Sequence, residues 1–382
     1  MSPKLPTSSS ISSAEVPRPR EMFNPSRLTV ARKRRGLTKI EFAKRMGVSL
    51  RSFKAYELGE YPPPNDILSK IVSVSDFPPE FFYGDTLEEP KEDSVSFRSM
   101  ARMKSYQRDI ALSQGQIALH LNGWLDERFE LPSVDIPNFR HERSPEAAAE
   151  ALRHHWSIGE LPISNMIHLL ESKGVRIFSL AIDALEVDAF SMWQEATPFI
   201  FLNSYKTSER TRHDAAHELG HLVLHRHGGP IGRKAEEQAN AFASAFLMPR
   251  SSVIAHVPRF PTLASIVKLK KIWKTSVAAL TYRLHALSIL SDWEYRRLYI
   301  QISRERFRTR EPNSEPRETS QVLPKIFAAL REDGLSRSKV AHALCIPQSE
   351  LESLMFGLTM ASIEGGRKGT PSRSRLTLVG NN

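Results

Sequence analysis

The segment that most constrains this chain is DAAHELGHLVLH, whose small and apolar residues favour a helix and which contains His217, Glu218 and His221. Residues four apart share one face of a helix, so both imidazoles can point at one metal ion. Zinc suits this pair because it binds neutral imidazole nitrogen in tetrahedral geometry. Glu218 lies beside that face, where it can take a proton from water. The pattern predicts a zinc site that needs a third protein ligand and an open fourth position.

The third ligand is predicted on the next helical segment, AEEQANAFASAFLMP, which follows a glycine break. Glu236 fits a helix packed antiparallel to the first, whereas the competing Glu237 points roughly 100° away around the helix. Asn240 falls one turn after Glu236 and can orient an imidazole. The alternative is a chance match, in which both motif histidines are helical surface residues. His225 and His227 are predicted to lie at a solvated helix end, with a place in the lining of the pocket as the alternative for one of them.

Apolar periodicity along the rest of the chain predicts a mainly α protein with a small β-sheet, an α+β fold. Strand patterns cover residues 175–180, 189–193 and 199–203, with a turn between the last two. Helical patterns fill most of the remainder, including long stretches at 99–130 and 262–303. The metal motif therefore follows directly after a strand pair.

A compact helical unit is predicted over residues 24–84, in which Thr38 and Ser49 are suitable helix N-caps. The same spacing recurs near the other end of the chain. There, the segment that begins at Ala329 repeats the apolar and glycine positions of the segment that begins at Ala31, without a gap. Both copies are predicted to be helix-turn-helix cores.

The net charge of +10 favours an anionic partner, with a surface tuned for solubility as the plain alternative. The single cysteine, Cys345, excludes an intramolecular disulfide and a thiolate metal cluster, which fits a reducing compartment. The sequence has no apolar run of the length that spans a membrane, and its N-terminal segment lacks the apolar centre of a secretory signal. We therefore predict a cytoplasmic protein with no membrane partner.

DAAHELGHLVLH followed by EEQANAFASAFLMP, with FIFLN just before them, resembles the ImmA/IrrE family of metallopeptidases over residues 144–257. The resemblance implies a gluzincin-like zinc peptidase fold, in which His217, His221 and Glu236 bind zinc and Glu218 is the catalytic base. Family members are typically bacterial or phage-borne regulators that cleave a DNA-binding repressor or antitoxin. Some relatives are known mainly as transcription factors. The resemblance does not place the group that stabilises the oxyanion.

The segment RLTVARKRRGLTKIEFAKRMGVSLRSFKAYELG resembles the XRE-type helix-turn-helix. The resemblance implies that the helix after Ser49 enters the major groove of double-stranded DNA while the helix after Thr38 braces the backbone. The residues predicted to contact DNA are Arg51, Ser52, Lys54, Arg34, Arg35 and Thr38. Phe53 and Tyr56 are predicted to pack inward. Such motifs usually act as dimers, so a homodimer is an expected state.

The C-terminal copy differs at the positions that would face DNA, where it carries Ser349, Glu350 and Glu352. Carboxylates repel phosphate, so this copy is predicted to be a structural or partner-binding module rather than a DNA-binding one.

The predicted domains are a helix-turn-helix domain at 24–84, a helical linker at 99–143, a zinc metallopeptidase domain at 144–257, a helical module at 262–303, a second helix-turn-helix-like module at 319–362, and disordered tails at 1–23 and 365–382. The predicted function is a DNA-binding transcriptional regulator with a zinc-dependent endopeptidase domain, which cleaves a repressor or antitoxin-type protein in a stress or phage-related response. The alternative is a transcription factor or antitoxin whose peptidase-like domain is a non-catalytic sensor or scaffold.

Overall fold

The computed structural model describes residues 22–90, 104–142, 144–180, 189–226 and 232–359. Within these residues the chain forms sixteen α-helices, one 3₁₀ helix and three β-strands, which confirms the prediction of a mainly α fold with a small sheet. None of the described helices is both long and apolar enough to span a membrane. The predicted tails lie outside the described residues, apart from Met22 and Phe23.

The elements before the sheet are α1 (Pro25–Arg34), α2 (Lys39–Met46), α3 (Leu50–Leu58), α4 (Asn65–Ser75), the 3₁₀ helix (Pro79–Tyr83), α5 (Ser105–Asp126), α6 (Pro145–His155) and α7 (Met166–Ser172). The strands are β1 (Arg176–Ser179), β2 (Ala189–Gln194) and β3 (Thr197–Leu202). The later helices are α8 (Ser208–Leu224), α9 (Arg233–Leu247), α10 (Arg250–His256), α11 (Leu263–Trp273), α12 (Val277–Ala286), α13 (Asp292–Arg304), α14 (Val322–Glu332), α15 (Arg337–Ala343) and α16 (Gln348–Met355).

The chain forms two compact units, and the first combines residues 22–87 with residues 329–351. Helices α1 to α4 surround a core in which the rings of Phe42 and Phe53 lie 5.2 Å apart. A buried ion pair ties α1 to α3, since Arg32 Nε lies 2.7 Å from Glu57 Oε1. The first unit is thus a helical bundle assembled from both ends of the chain.

The two repeats share backbone geometry as well as sequence. A left-handed φ recurs at three equivalent pairs of positions, namely Gly36 and Gly334, Gly47 and Cys345, and Gly59 and Gly357. The helix-starting caps also correspond, because Thr38 and Ser336 both accept a hydrogen bond from the third residue of the helix that follows. Cys345 therefore adopts, with an L side chain, a conformation that the first copy assigns to glycine.

The second unit comprises residues 88–328 and 352–359 of the described chain, and contains the sheet. The strand order is β1-β3-β2, with β1 parallel to β3 and β2 antiparallel to it. Gln194 pairs with Thr197, so a two-residue turn joins β2 and β3, and Glu195 in that turn has φ 52°. The three strand predictions agree with these elements to within two residues.

Helix α8 packs between the sheet and α9. The indole N–H of Trp193, on β2, donates to the carbonyl of Leu222 at 3.3 Å. On the other side, Gly220 lies so close to α9 that an added Cβ would be 3.2 Å from Ala239 Cα and 3.1 Å from Phe242 Cδ1. This close approach brings the side chains of α9 within reach of those of α8.

Candidate metal centre and DNA-facing surface

Helix α8 presents a row of histidines, because residues four apart lie on one helical face. The helix begins where the Thr207 hydroxyl accepts from the N–H of Arg210. His217 and His221 follow at successive turns, and their Nε2 atoms lie 3.1 Å apart. Both predicted imidazole ligands therefore point at the same place.

Helix α9 brings a carboxylate to the same point. Glu236 Oε1 lies 3.5 Å from His221 Nε2, and Glu236 Oε2 lies 3.6 Å from His217 Nε2. Glu237 lies elsewhere, with 61% of its side chain exposed and an ion pair to Arg233 at 2.7 Å. Among the described residues, the structure groups the predicted set His217, His221 and Glu236 as a candidate metal site, and it leaves Glu237 outside.

The chemistry of these donors fits a zinc ion. Each of the two imidazoles has its Nδ1 against a hydrogen-bond partner, so each can turn an Nε2 lone pair toward the other. Two lone pairs at 3.1 Å repel unless a cation lies between them. Zinc–nitrogen bonds of roughly 2.0–2.1 Å at tetrahedral angles place two ligands roughly 3.3–3.4 Å apart, close to the separations found here.

The Nδ1 atoms of His217 and His221 point away from the candidate metal site, toward side chains that can hold the two rings in place. The predicted partner Asn240 places Oδ1 3.2 Å from His217 Nδ1. His225 Nδ1 lies 3.0 Å from His221 Nδ1, and His225 Nε2 lies 3.0 Å from Gln238 Oε1. The prediction of a solvated helix end is therefore wrong for His225, which is only half exposed and bonded through both nitrogens because α9 packs beside it. His227 lies outside the described residues.

Glu218 is buried beside the cluster and is held by a residue that the sequence did not single out. The hydroxyl of Ser191, on β2, donates to Glu218 Oε2 at 2.7 Å. Ser191 is itself 2% exposed. A serine at an inward position of an otherwise apolar strand was the available signal, since a buried hydroxyl needs a partner.

Burial shifts the pKa values of three titratable side chains on α8. Burial, with smaller effects of the charges of His221 and His213, lowers the pKa of His217 to about 3, so its imidazole is neutral at physiological pH. Burial and the nearby Arg210 lower the pKa of His213 to about 4. Burial also raises the pKa of Asp214 to about 6. A neutral imidazole is the form that binds metal.

A cavity of about 520 Å³ lies beside the cluster and is lined by residues from distant parts of the chain. Its lining includes His213, one turn before His217, and also Tyr299, Phe307, Arg308 and Glu311. The Glu311 carboxylate is fixed by the N–H of Val277 at 2.8 Å and by Lys270 at 3.1 Å. Sequence reasoning missed these residues, because no motif links α8 to α13 and the segment that follows it.

The residues predicted to contact DNA from α3 and from the start of α2 are at least partly exposed, whereas the two residues predicted to pack inward are buried. Arg51 and Lys54 are exposed on α3, Ser52 is half exposed beside them, and Thr38 caps α2 at the surface. Phe53 and Tyr56 are buried, as expected.

Arg34 and Arg35 occupy a different environment from the open surface that was predicted for them. Arg34 is 5% exposed, and its Nε lies 2.7 Å from Glu350 Oε2. Arg35 lies 2.8 Å from Glu350 Oε1 and donates to the carbonyl of Ser75. The prediction that both arginines are presented to phosphate is therefore wrong for this conformation, because a carboxylate of the second repeat already occupies that position.

The fold, the candidate metal centre and the exposed residues of α3 indicate a class of protein, a DNA-binding regulator with a metallopeptidase-like domain. Residues 30–82 match the helix-turn-helix family model, and residues 170–285 match the family model of the IrrE N-terminal-like domain, Peptidase_M78. The chain thus joins an XRE-type helix-turn-helix to an IrrE-like domain, as its motifs suggested. No curated protein matches the chain closely enough to count as a relative.

Proposed function

We propose that this chain is a transcriptional regulator whose second unit is a zinc-dependent endopeptidase that cleaves a repressor or antitoxin-type protein. The observation that carries the proposal is the convergence of His217, His221 and Glu236, with the buried Glu218 beside them. Two imidazoles, one carboxylate ligand and an adjacent carboxylate base are the groups that metal-assisted peptide hydrolysis requires.

When bound, zinc supplies Lewis-acid polarisation of the scissile carbonyl and acidifies a water molecule. Glu218 then acts as the general base and returns the proton to the leaving amine. The hydrogen bond from Ser191 supports this role, because it fixes the orientation of the Glu218 carboxylate beside the metal ligands. Asn240 holds the ring of His217, so that Nε2 rather than Nδ1 faces the site.

The site also offers a means of holding a peptide. Among the described strands, β2 lies at one edge of the order β1-β3-β2, and an edge strand is where an extended peptide can be added to a sheet. The cavity next to the cluster is large enough for side chains of such a peptide. A folded repressor or antitoxin with an extended segment fits this geometry.

The first unit supports the regulatory half of the proposal. Arg51 and Lys54 are exposed on the helix that, in this arrangement, enters the major groove. We propose that this surface binds double-stranded DNA as a homodimer.

Replacement of Glu218 by glutamine tests the catalytic assignment. The variant keeps the shape of the side chain and loses its basicity, so it should fold, bind one zinc ion per chain and retain DNA binding. Loss of general acid–base catalysis should reduce cleavage by roughly 10²–10⁴-fold. In cells, the variant should retain intact a partner protein that the wild type shortens, and immunoblots of that partner measure the difference.

Glu237→Gln is the matched control, since it makes the same chemical change on an exposed side chain outside the cluster. It should cleave like the wild type. If partner proteins captured by Glu218→Gln are equally long in wild-type cells under inducing conditions, the endopeptidase proposal fails. A zinc-binding scaffold on a DNA-binding regulator would then be the better description.

A further inference from the structure

The third imidazole of the row is linked to both helices of the metal centre. His225 lies just after α8, and its Nδ1 is 3.0 Å from the Nδ1 of His221. Its Nε2 is 3.0 Å from Oε1 of Gln238 on α9. A continuous chain of hydrogen bonds therefore runs from a side-chain amide, through one imidazole, to a second imidazole whose other nitrogen faces Glu236.

The protons in this chain can be placed from the amide inward. A carbonyl oxygen only accepts, so Oε1 of Gln238 requires the proton of His225 on Nε2. A neutral imidazole has one N–H, so Nδ1 of His225 then accepts. Its donor is Nδ1–H of His221, which leaves the lone pair of His221 on Nε2. That is the nitrogen 3.1 Å from His217 Nε2 at the metal cluster.

If the amide group of Gln238 were turned over, each imidazole in the chain would carry its proton on its other nitrogen. The NH₂ group of Gln238 would then donate to His225, His225 would donate to His221, and His221 would carry its proton on Nε2. An N–H cannot bind a metal ion, so that orientation would destroy the donor set. The tautomer of His221 is thus tied to the orientation of one amide on the neighbouring helix.

We propose that His225 and Gln238 are positioning residues that hold His221 in its metal-binding tautomer and ring orientation. The inference rests on the metal site of the proposed function and goes beyond it, because it assigns roles to two side chains that contact neither metal nor substrate. His217 obtains the same support from Asn240 in one step, at 3.2 Å. Helix α9 therefore supplies a carboxylate to the metal and one orienting amide for each imidazole.

A cap of the helix end does not require this imidazole. The backbone N–H of His225 already bonds to the carbonyl of His221 at 3.0 Å, whatever the side chain. A side chain that only filled space would change the stability of the metal-free protein and leave its zinc affinity alone. Zinc affinity therefore separates positioning from packing.

The experiment measures zinc binding by the full-length chain in competition with a chromogenic chelator, with zinc alone as the probe. His225→Leu and Gln238→Leu should each weaken binding roughly 10–100-fold, the usual cost of losing a group that orients a metal ligand. His225→Asn should recover most of the loss, because its Oδ1 takes the place of Nδ1 and can accept from His221 Nδ1–H. Glu237→Leu, on the same helix but outside the chain of hydrogen bonds, should bind zinc like the wild type.

Nitrogen-15 NMR of the metal-free wild type gives a second readout, and should show His225 protonated on Nε2. Unchanged zinc affinity in both leucine variants, or a proton on Nδ1 of His225, would overturn the inference. Should a leucine variant fail to fold, the asparagine variant and the wild-type spectrum decide. If the wild type itself binds no zinc, the proposed metal site fails, while the spectrum still reports on the hydrogen-bond chain.

Discussion

Four histidines follow one another at four-residue intervals along α8 and its end, and each has a different environment. The Nε2 atoms of His217 and His221 lie 3.1 Å apart, while His225 bonds to the Nδ1 atom of His221. His213, at the other end of the row, lines the cavity, and its ring stacks on that of His217 with centroids 6.5 Å apart. Position along one helical face thus divides chemically identical side chains into different roles.

The depressed pKa of His213 makes a prediction about the metal-free protein. An unfolded histidine takes up a proton near pH 6.5, whereas burial keeps the folded one neutral down to about pH 4. The unfolded state therefore binds more protons across this window, and stability falls as the pH drops from 6.5 toward 4, by at most about 1.4 kcal/mol per pH unit. His213→Phe should flatten this dependence in urea unfolding measured at pH 7 and pH 5.

The matched control is His154→Phe, since His154 is exposed on α6. Its loss of stability between pH 7 and pH 5 should equal that of the wild type. An equal loss in His213→Phe would contradict the assignment of acid sensitivity to this half-buried group.

At the scale of helices, the contact between α8 and α9 determines whether the metal ligands meet. Gly220 lies between the two motif histidines, close against the backbone of Ala239. Because Glu236 stands one turn before that contact, a small separation of the helices would withdraw the carboxylate from both imidazoles. The glycine of the motif therefore has a packing role that its chemistry does not suggest.

Gly220→Ala should destabilise the protein and weaken zinc binding. Alanine gains about 1 kcal/mol of helix propensity, but overpacking against a backbone typically costs about 1–3 kcal/mol. Gly123 supplies the control, because it is also helical, on α5, and an added Cβ would meet nothing within 4 Å. Gly123→Ala should raise the thermal midpoint, and equal stability of the two variants would rule out the packing argument.

The sequence was most informative where chemistry and helical spacing coincide. His217, His221 and Glu236 could be grouped because two turns of one helix and one turn of the next are local patterns. Ser191, Gln238 and the cavity-lining residues on and after α13 were missed. Their roles depend on which strand or helix packs beside α8, and the sequence spacing of these residues carries no trace of that packing.

At the scale of the whole molecule, the basic residues of the first unit that were predicted to contact DNA fall into two groups. Arg51 and Lys54 are exposed, whereas Arg34 and Arg35 are paired with Glu350. The basic run could not be assigned correctly from the N-terminal sequence, because the carboxylate that neutralises it is supplied by the second repeat.

The corresponding prediction concerns binding of the full-length chain to mixed-sequence duplex DNA. Affinity should fall with salt, because phosphate neutralisation releases counterions. Arg51→Ala combined with Lys54→Ala should lower both the affinity and the salt dependence. Arg34→Gln should change neither, and should instead lower the thermal stability, since it disrupts a buried ion pair. An equal loss of salt dependence in Arg34→Gln would show that DNA displaces Glu350.

Because the first unit is built from two segments that lie far apart in the sequence, its two parts are synthesised at different times. Arg34 and Arg35 leave the ribosome early, whereas Glu350 follows about 260 residues after the N-terminal segment of the unit is complete. At roughly 5–20 residues per second, that interval lasts roughly 13–50 s. During synthesis the N-terminal helices must therefore hold together through local contacts such as the pair of Arg32 and Glu57. The whole metal centre is translated within this interval, so it is made before the last carboxylate of the DNA-binding unit arrives.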